Sequence, residues 1–543
     1  MKKVKVILIF CYYFLFSQTT IAQFSADTSQ VFYVCNQPGR QSNICAFPDG
    51  SNGTYSFWID GRGSAPEIFG QHLDSLGASL WPINGKQFLS NGKLISKLQA
   101  ISWNGGLLLG WVEGTAAGAD SVFLNFYDLN GNSLWPQPLL IGDDRIPQMG
   151  VISDVLDIYP TSNGLLVVYG LFNMFGNAVT AWNRIDSNGL LYPVNSKVFD
   201  FNGTLFVSAV DHQDGFYIAA TTYNSSGHIY VTHFDLNDVR TTPVEVDLST
   251  VAGGIIDNVH GGLNINCDNY GDAYVVWEND SAGDIYISKI TPNGTLPWGG
   301  GGEKPVCLNP GMKEYAYSMI YDDTVYVQWN DPRNLVNNSR IYMQKFNLNG
   351  DPLWTVDGIK LAEISAYRPY GKFAKAGNNI FSTFGLGFTS FKAQNVQPDG
   401  SLAWGQDGIT LATSWCLSLD QSIVVMPDGS STVFWRDNLD NICAARIRSN
   451  GALVNITSVS KNIFSVYPNP TKELLTLNFT EQLKGKAVIK IYNSLGALVV
   501  SEINVSELSN GYTINISMLR SGTYFIRIES EYFNTYSRFV VAE

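Results

Sequence analysis

Apolar and polar positions alternate in short runs along most of the chain, and no stretch sustains a helical period. Between residues 312 and 362 four such runs can be read, at 315–321, 324–329, 341–346 and 353–361. They are separated by Asp322-Asp323, by Asn330-Asp331-Pro332-Arg333 and by Asn349-Gly350. Turn-forming residues between runs rich in aromatic and β-branched side chains predict four short antiparallel strands. The unit then repeats. A Gly followed four places later by Trp marks its centre at Gly77/Trp81, Gly131/Trp135, Gly294/Trp298, Gly350/Trp354 and Gly400/Trp404, with weaker copies at Gly189, Asp238 and Gly451. Successive centres are 49 to 58 residues apart, a period typical of propellers and solenoids. Four strands per repeat of that length make a propeller blade.

The pattern therefore predicts an all-β protein with an eight-bladed β-propeller over residues 23–460, or seven blades if the degenerate copy at 201–246 is not one. Residues 30–34, ahead of the first full repeat, are expected to supply a strand to the last blade. Val34-Cys35-Asn36-Gln37-Pro38-Gly39 parallels Val306-Cys307-Leu308-Asn309-Pro310-Gly311, as expected if both are exit strands.

Asn-Gly between apolar strands predicts a type I′ hairpin turn with positive φ at both central positions. Asp128-Leu129-Asn130-Gly131-Asn132 also has the start of a calcium loop, but Leu139 stands where an EF-hand-like loop needs Glu. The hairpin is the expected reading. The second strand of several repeats ends in Trp and an acid: Trp58-Ile59-Asp60, Trp111-Val112-Glu113, Trp277-Glu278, Trp329-Asn330-Asp331 and Trp435-Arg436-Asp437. Such pairs can bind sugars, but recurrence in most repeats points to packing between blades, with the acid capping the next turn. The Trp residues of the Gly–Trp centres are expected to be largely buried.

Composition agrees with many short strands: 45% apolar, 13% aromatic, 15% charged and 51 Gly. The formal charge is −13, and the +3 on residues 1–22 and +1 on residues 461–543 leave −17 on residues 23–460. That acidity argues against nucleic acid and against direct attraction to an anionic membrane. Lys2, Lys3 and Lys5, an apolar run over residues 6–16 and Thr20-Ile21-Ala22 have the parts of a secretory signal peptide. Cleavage between Ala22 and Gln23 is expected, with no transmembrane segment in the mature chain. Six cysteines then remain, at positions 35, 45, 267, 307, 416 and 443. An exported chain permits disulfides, but their spread over separate repeats leaves free thiols open.

After Ser460 the period stops. Val466-Tyr467-Pro468-Asn469-Pro470-Thr471, Ile491-Tyr492-Asn493-Ser494-Leu495-Gly496 and Leu519-Arg520-Ser521-Gly522-Thr523-Tyr524-Phe525 resemble the type A C-terminal sorting domain of type IX secretion substrates. The resemblance covers about residues 462–543 and implies a small immunoglobulin-like β-sandwich, export through the type IX machinery, and a secreted or cell-surface protein. Its motif positions here are Pro468, Asn469, Pro470, Tyr492, Gly496, Gly522 and Tyr524. Strand alternation in residues 487–492 and 523–528 fits. The prolines are expected to fix an extended entry and the two glycines to make turns. Many members finish in a lysine-rich strand, whereas this chain ends Arg538-Phe539-Val540-Val541-Ala542-Glu543. The expected domains are thus 1–22, 23–460 and 461–543.

No nucleophile elbow, zinc-protease, phosphate-loop or dinucleotide motif occurs, and the five histidines lack metal spacing. No cofactor or metal is expected. Two function classes stand: a binding scaffold for an extracellular glycan or protein, and a polysaccharide-cleaving enzyme with a carboxylate pair in the propeller funnel. Lack of a catalytic motif favours binding. Specificity then belongs to loops at the propeller mouths, the longest being 114–121, 298–304 and 330–340. The first and last follow second strands and emerge on one face, where Glu113, Asp331 and Arg333 are the candidate ligand residues.

Overall fold

A computed structural model describes residues 24–542 apart from 115–120, 144–148, 174–177, 223–227, 244, 249–261, 280–282, 300–301, 334–337, 364–365, 367–370, 387–388, 414–415, 455–463, 480–486, 494–497, 506–510 and 531–533. Ala22 and Gln23 therefore lie outside the described residues. So do Gly496 and the middles of the three long loops. The chain divides into two compact units, residues 1–454 and 455–543. Among the described residues both are built from strands and turns, without helix.

The larger unit is a series of antiparallel sheets. Sheet A contains, in sequence order, Gln41–Pro48, Thr54–Asp60, Glu67–Leu73 and Lys86–Leu89. Sheet B (residues 94–143), sheet D (263–307), sheet E (314–360) and sheet F (371–412) repeat that order. Sheet C (149–247) has seven strands because its long strand Leu191–Val210 ends one four-stranded group and begins the next. Three strands between residues 416 and 447 form sheet G, and Phe32–Cys35 pairs with Ile442–Ile447 to complete it. The N-terminal strand thus closes the last sheet, as the sequence pattern predicts.

Each sheet packs on the next through an apolar layer, and G packs on A, so the circuit is closed. Between A and B, for instance, Tyr55 and Phe57 meet Trp111 and Tyr127. The first strand of each four-stranded group lies beside the first strands of its neighbours. These strands line the axis, and the short last strands form the outer wall.

The repeat's Gly has two reasons to be Gly. In the Asp128–Asn132 hairpin the Asp128 carboxylate accepts the N–H groups of Asn130 and Asn132 at 2.9 and 2.8 Å, while Gly131 N–H donates to Asp128 O at 2.9 Å. Gly131 has φ +74° and Asn130 stays at negative φ. The turn is therefore a type I turn followed by a left-handed Gly, and the type I′ expectation is wrong. An Asp whose side chain bonds its own following amides stabilises a right-handed turn, so only the Gly needs positive φ. The second reason is tertiary. A Cβ on Gly189, Gly350, Gly400 or Gly451 would stand 2.7 to 3.1 Å from the ring of Trp135, Trp298, Trp354 or Trp404, the Trp of the preceding repeat. The Gly–Trp pattern is the seam between successive sheets. Because each Trp lies along that seam at the outer wall, it is half-buried rather than largely buried. The fully buried tryptophans are those of the second strands: Trp58, Trp111, Trp329 and Trp435.

In the smaller unit a three-stranded and a four-stranded sheet share one core that includes Leu475, Leu477, Ile489, Ile491, Ile526 and Phe539.

Candidate functional site

The Trp–acid pairs form closed nodes. At the end of the second strand of sheet E, Asp331 Oδ2 accepts from Trp329 Nε1 at 3.2 Å and Arg333 Nη2 at 2.5 Å, and Oδ1 accepts the Arg333 N–H at 2.9 Å. Cys307, from the last strand of sheet D, adds a thiol contact to Asp331 at 3.6 Å. The Arg333 guanidinium lies over Tyr342 at 3.9 Å and donates to Asp357 O at 2.9 Å. Sheet A repeats this almost atom for atom with Trp58, Asp60, Arg62, Cys35, Phe69 and Asn84. Burial alone would raise the Asp60 carboxyl, but the bonds from Arg62 and Trp58 outweigh it and hold the group below the ordinary carboxylate range. Burial pushes the two thiols up, Cys35 to about 11 and Cys307 to about 12. Glu113 is engaged similarly, by Trp111 Nε1 at 3.0 Å and Asn91 Nδ2 at 2.6 Å. The candidate ligand residues thus share one end of the ring, Asp331 and Arg333 in one node and Glu113 in another, with Asp331 wholly buried. Beside it, both polar atoms of the buried Asn330 amide lack a hydrogen-bond partner among the described residues.

A second arrangement has no counterpart in the sequence motifs. Six of the axis-lining strand segments slip register near their starts, between Ser42/Cys45, Ile95/Lys97, Ile152/Leu156, Gly203/Leu205, Glu314/Tyr317 and Leu417/Gln421. Bulges of this kind bend a strand and re-aim its side chains. Asn43 and Tyr315, inside two of them, have φ +54° and +61°, unusual for a residue as bulky as Tyr. The bulged starts pair with the ends of the second strands, so they encircle the axis at the same end as Glu113 and Asp331.

Around this mouth, charged groups from different sheets come within electrostatic reach. Lys97 of sheet B acts on Asp157 of sheet C and on Lys372 of sheet F, while Cys45 of sheet A and Asp420 of sheet G also act on Lys372. Burial raises the Asp157 carboxyl, against the hydrogen bond from Ser208 Oγ at 2.7 Å and the charge of Lys97. Burial lowers the Lys372 ammonium, and Lys97 adds to that against Cys45 and Asp420. Lys372 Nζ donates to Gln421 O at 3.1 Å. Asp420 pairs with Arg436 at 2.8 Å and accepts the Asn43 N–H at 3.3 Å. The Lys97 side chain makes no hydrogen bond or ion pair among the described residues. These residues escape pattern reading because each occurs once, in a different repeat; only a break in strand alternation hints at them.

The outer wall holds a cavity of about 300 Å³ between sheets D and E, lined by Val306, Phe346, Pro352 and Val356 among others. In the A–B seam the corresponding place is filled by Phe88 against Tyr127 at 5.0 Å. Val306 is too small to do the same.

In the smaller unit Asn469 Oδ1 accepts the Val540 N–H at 2.9 Å and Asn469 Nδ2 donates to Arg538 O at 3.2 Å. Thr471 adds backbone bonds to Val540 and Ala542, so the Pro-Asn-Pro-Thr motif fastens the final strand. Pro468 and Pro470 lie in a bend, not in the extended entry expected of them. Gly522 begins the strand Gly522–Ser530 instead of making a turn, and Tyr524 donates its hydroxyl to Arg520 O at 2.9 Å. Tyr492 is half-buried in the strand Ala487–Asn493. Residues 465–542 match the family described as the secretion system C-terminal sorting domain. This unit is a type IX sorting domain. The sorting domain makes the protein one that is secreted or attached to the outer cell surface, and it implies contact with the secretion machinery. Among the described residues no helix is long and apolar enough to cross a membrane.

No curated protein matches the chain. Solved structures resemble it in outline. Sqt1 of Chaetomium thermophilum is 12% identical with a TM-score of 0.45, over 76% of this chain and 98% of that one. An ulvan lyase of polysaccharide lyase family 25 is 9% identical with a TM-score of 0.39, over 68% and 96%. A Penicillium chrysogenum α-L-arabinanase is 10% identical with a TM-score of 0.32, over 59% and 98%. None of these likenesses bears on function.

Proposed function

We propose that the mature chain, cut between Ala22 and Gln23, is an eight-bladed β-propeller over residues 23–460 followed by an immunoglobulin-like sorting domain over 461–543. The seven-stranded sheet counts as two blades sharing one long strand. The propeller is a binding scaffold for an extracellular glycan or protein. Its ligand face is the end carrying Glu113, Asp331, Arg333 and the loops at 114–121 and 330–340. The observation that carries this reading is the set of register slips around the axis at that end. Bulges concentrate where side chains are re-aimed for a purpose other than packing. The opposite end consists of tight hairpins, several of them capped by an Asp side chain.

A glycan array and a pull-down with the mature chain test it. Ligand capture that weakens when the loops at 114–121 and 330–340 are shortened supports this face; capture unchanged by the shortening excludes it. A second reading, cleavage of a polysaccharide, draws support from Asp157, whose burial favours the protonated form that a general acid needs. Appearance of shortened glycan products would favour that class.

A further inference from the structure

We infer that the axial mouth holds the negatively charged group of an acidic sugar, a uronate carboxylate or a sugar sulfate, between the ammonium groups of Lys97 and Lys372. This deepens the binding reading by naming a ligand class, and rests on it.

Lys97 and Lys372 belong to sheets B and F, which are not neighbours in the ring. Side chains from such sheets can approach only across the axis, yet each lysine lies within electrostatic reach of the other and of Cys45 in sheet A. The acids beside them have partners of their own. Asp420 is paired with Arg436, which also bonds Asp440 at 2.5 Å. Asp157 accepts from Ser208 Oγ, and its burial disfavours the ionised form. Lys372 spends one N–H on Gln421 O, and Lys97 spends none on a described residue. Two like charges gathered in a partly buried place repel one another, and an anion seated between them removes that cost.

The surroundings favour a sugar over an acidic peptide. Residues 23–460 carry −17, so a polyanionic chain meets net repulsion from the ring as a whole, which a singly charged sugar meets less. A sugar presents one anionic group with several hydroxyls, and half-buried Asn43 and exposed Ser96 sit in the adjoining bulges to meet them.

Calorimetric titration of the full mature chain with a galactose trisaccharide ending in a single galacturonate, a singly sulfated disaccharide, a neutral galactose trimer and a glutamate hexapeptide tests the assignment. One or both acidic sugars should bind about tenfold or more tightly than the neutral trimer and the peptide, and more weakly as salt is added; which one binds identifies carboxylate or sulfate. Lys97→Met and Lys372→Met should each weaken that binding by about tenfold or more, and Lys97→Arg should retain it. Thermal melts establish that each variant is folded, and Lys97→Met, whose side chain has no hydrogen-bond or ion-pair partner among the described residues, carries the test if Lys372→Met is not. Folded Lys97→Met with unchanged affinity overturns the inference. So does equal binding of the neutral trimer, or of the hexapeptide, which would make the mouth a peptide site. If the array finds neutral glycans or proteins on this face and acidic sugars bind no better, the inference fails while the scaffold reading stands. If nothing binds, both fail.

Discussion

Asp331 and Asp60 show how much of the ring's charge is spent on holding it together. Each carboxylate sits at 0% exposure and receives an indole N–H, a guanidinium and a backbone amide. Removing the acid strands the arginine and the indole without their acceptor. Asp331→Ala is therefore expected to destabilise the ring by about 3–5 kcal/mol, as breaking a buried pair does. Chemical denaturation reads this out, and a loss below 1 kcal/mol would mean that the node is ornamental. Turn aspartates add a pH dependence. Burial works to raise Asp49 and Asp211, but bonds from His72 or His233 and from turn amides prevail and hold both below the ordinary range. A carboxylate with a lowered folded pKa contributes stability that is complete above its unfolded pKa of about 4 and is lost as pH falls through the folded value. Melting temperature should thus stay level from pH 7 to about 5 and drop steeply below about 4. Asp157, raised by burial, acts in the opposite sense and blunts the drop.

At the scale of the strand and its turn, Gly400 and Gly429 separate two roles that look alike in sequence. Both have positive φ, +88° and +78°, but a Cβ on Gly400 would meet Trp354 at 3.1 Å while one on Gly429 would meet nothing within 4 Å. Gly429→Ala should cost about 1–2 kcal/mol for its left-handed backbone, and Gly400→Ala more. In a Trp354→Ala background the excess at Gly400 should vanish, which a double-mutant cycle measures. The D–E seam supplies a converse case. Val306→Phe places a ring where Phe88 sits in the A–B seam, and should raise the melting temperature by filling the outer cavity. A lowered melting temperature would show the cavity to be the wrong shape for a phenyl ring.

For the whole molecule, the strand Phe32–Cys35 completes sheet G and brings Cys35 to Asp60 of sheet A. Deleting residues 24–36 should leave the edge of Ile442–Ile447 exposed, lower the melting temperature and promote association. Analytical ultracentrifugation would detect the last. Deleting residues 462–543 should leave the protein inside the cell, which fractionation and immunoblotting can follow; normal export of the truncated chain would refute the sorting role.

Much of this was legible in the chain itself. Period-2 alternation and Asn-Gly punctuation specify strands and hairpins because those are local matters of side-chain direction and backbone φ. The Gly–Trp spacing specifies a repeat, and the tail motifs specify export. What Gly400 does to Trp354, that Asp331 meets Cys307 of another sheet, and which turn type the hairpins adopt could not be read, because a spacing records that residues recur and not what they touch. The axial cluster is the extreme case: Cys45 and Lys372 are far apart in sequence and belong to no shared pattern, and they meet because closing the ring brings the first strands of all the sheets to one axis. The sequence by itself determined the strands, the repeat and the destination of the protein. Only the tertiary structure decided which charges share a site, since electrostatic proximity depends on ring closure and not on distance along the chain.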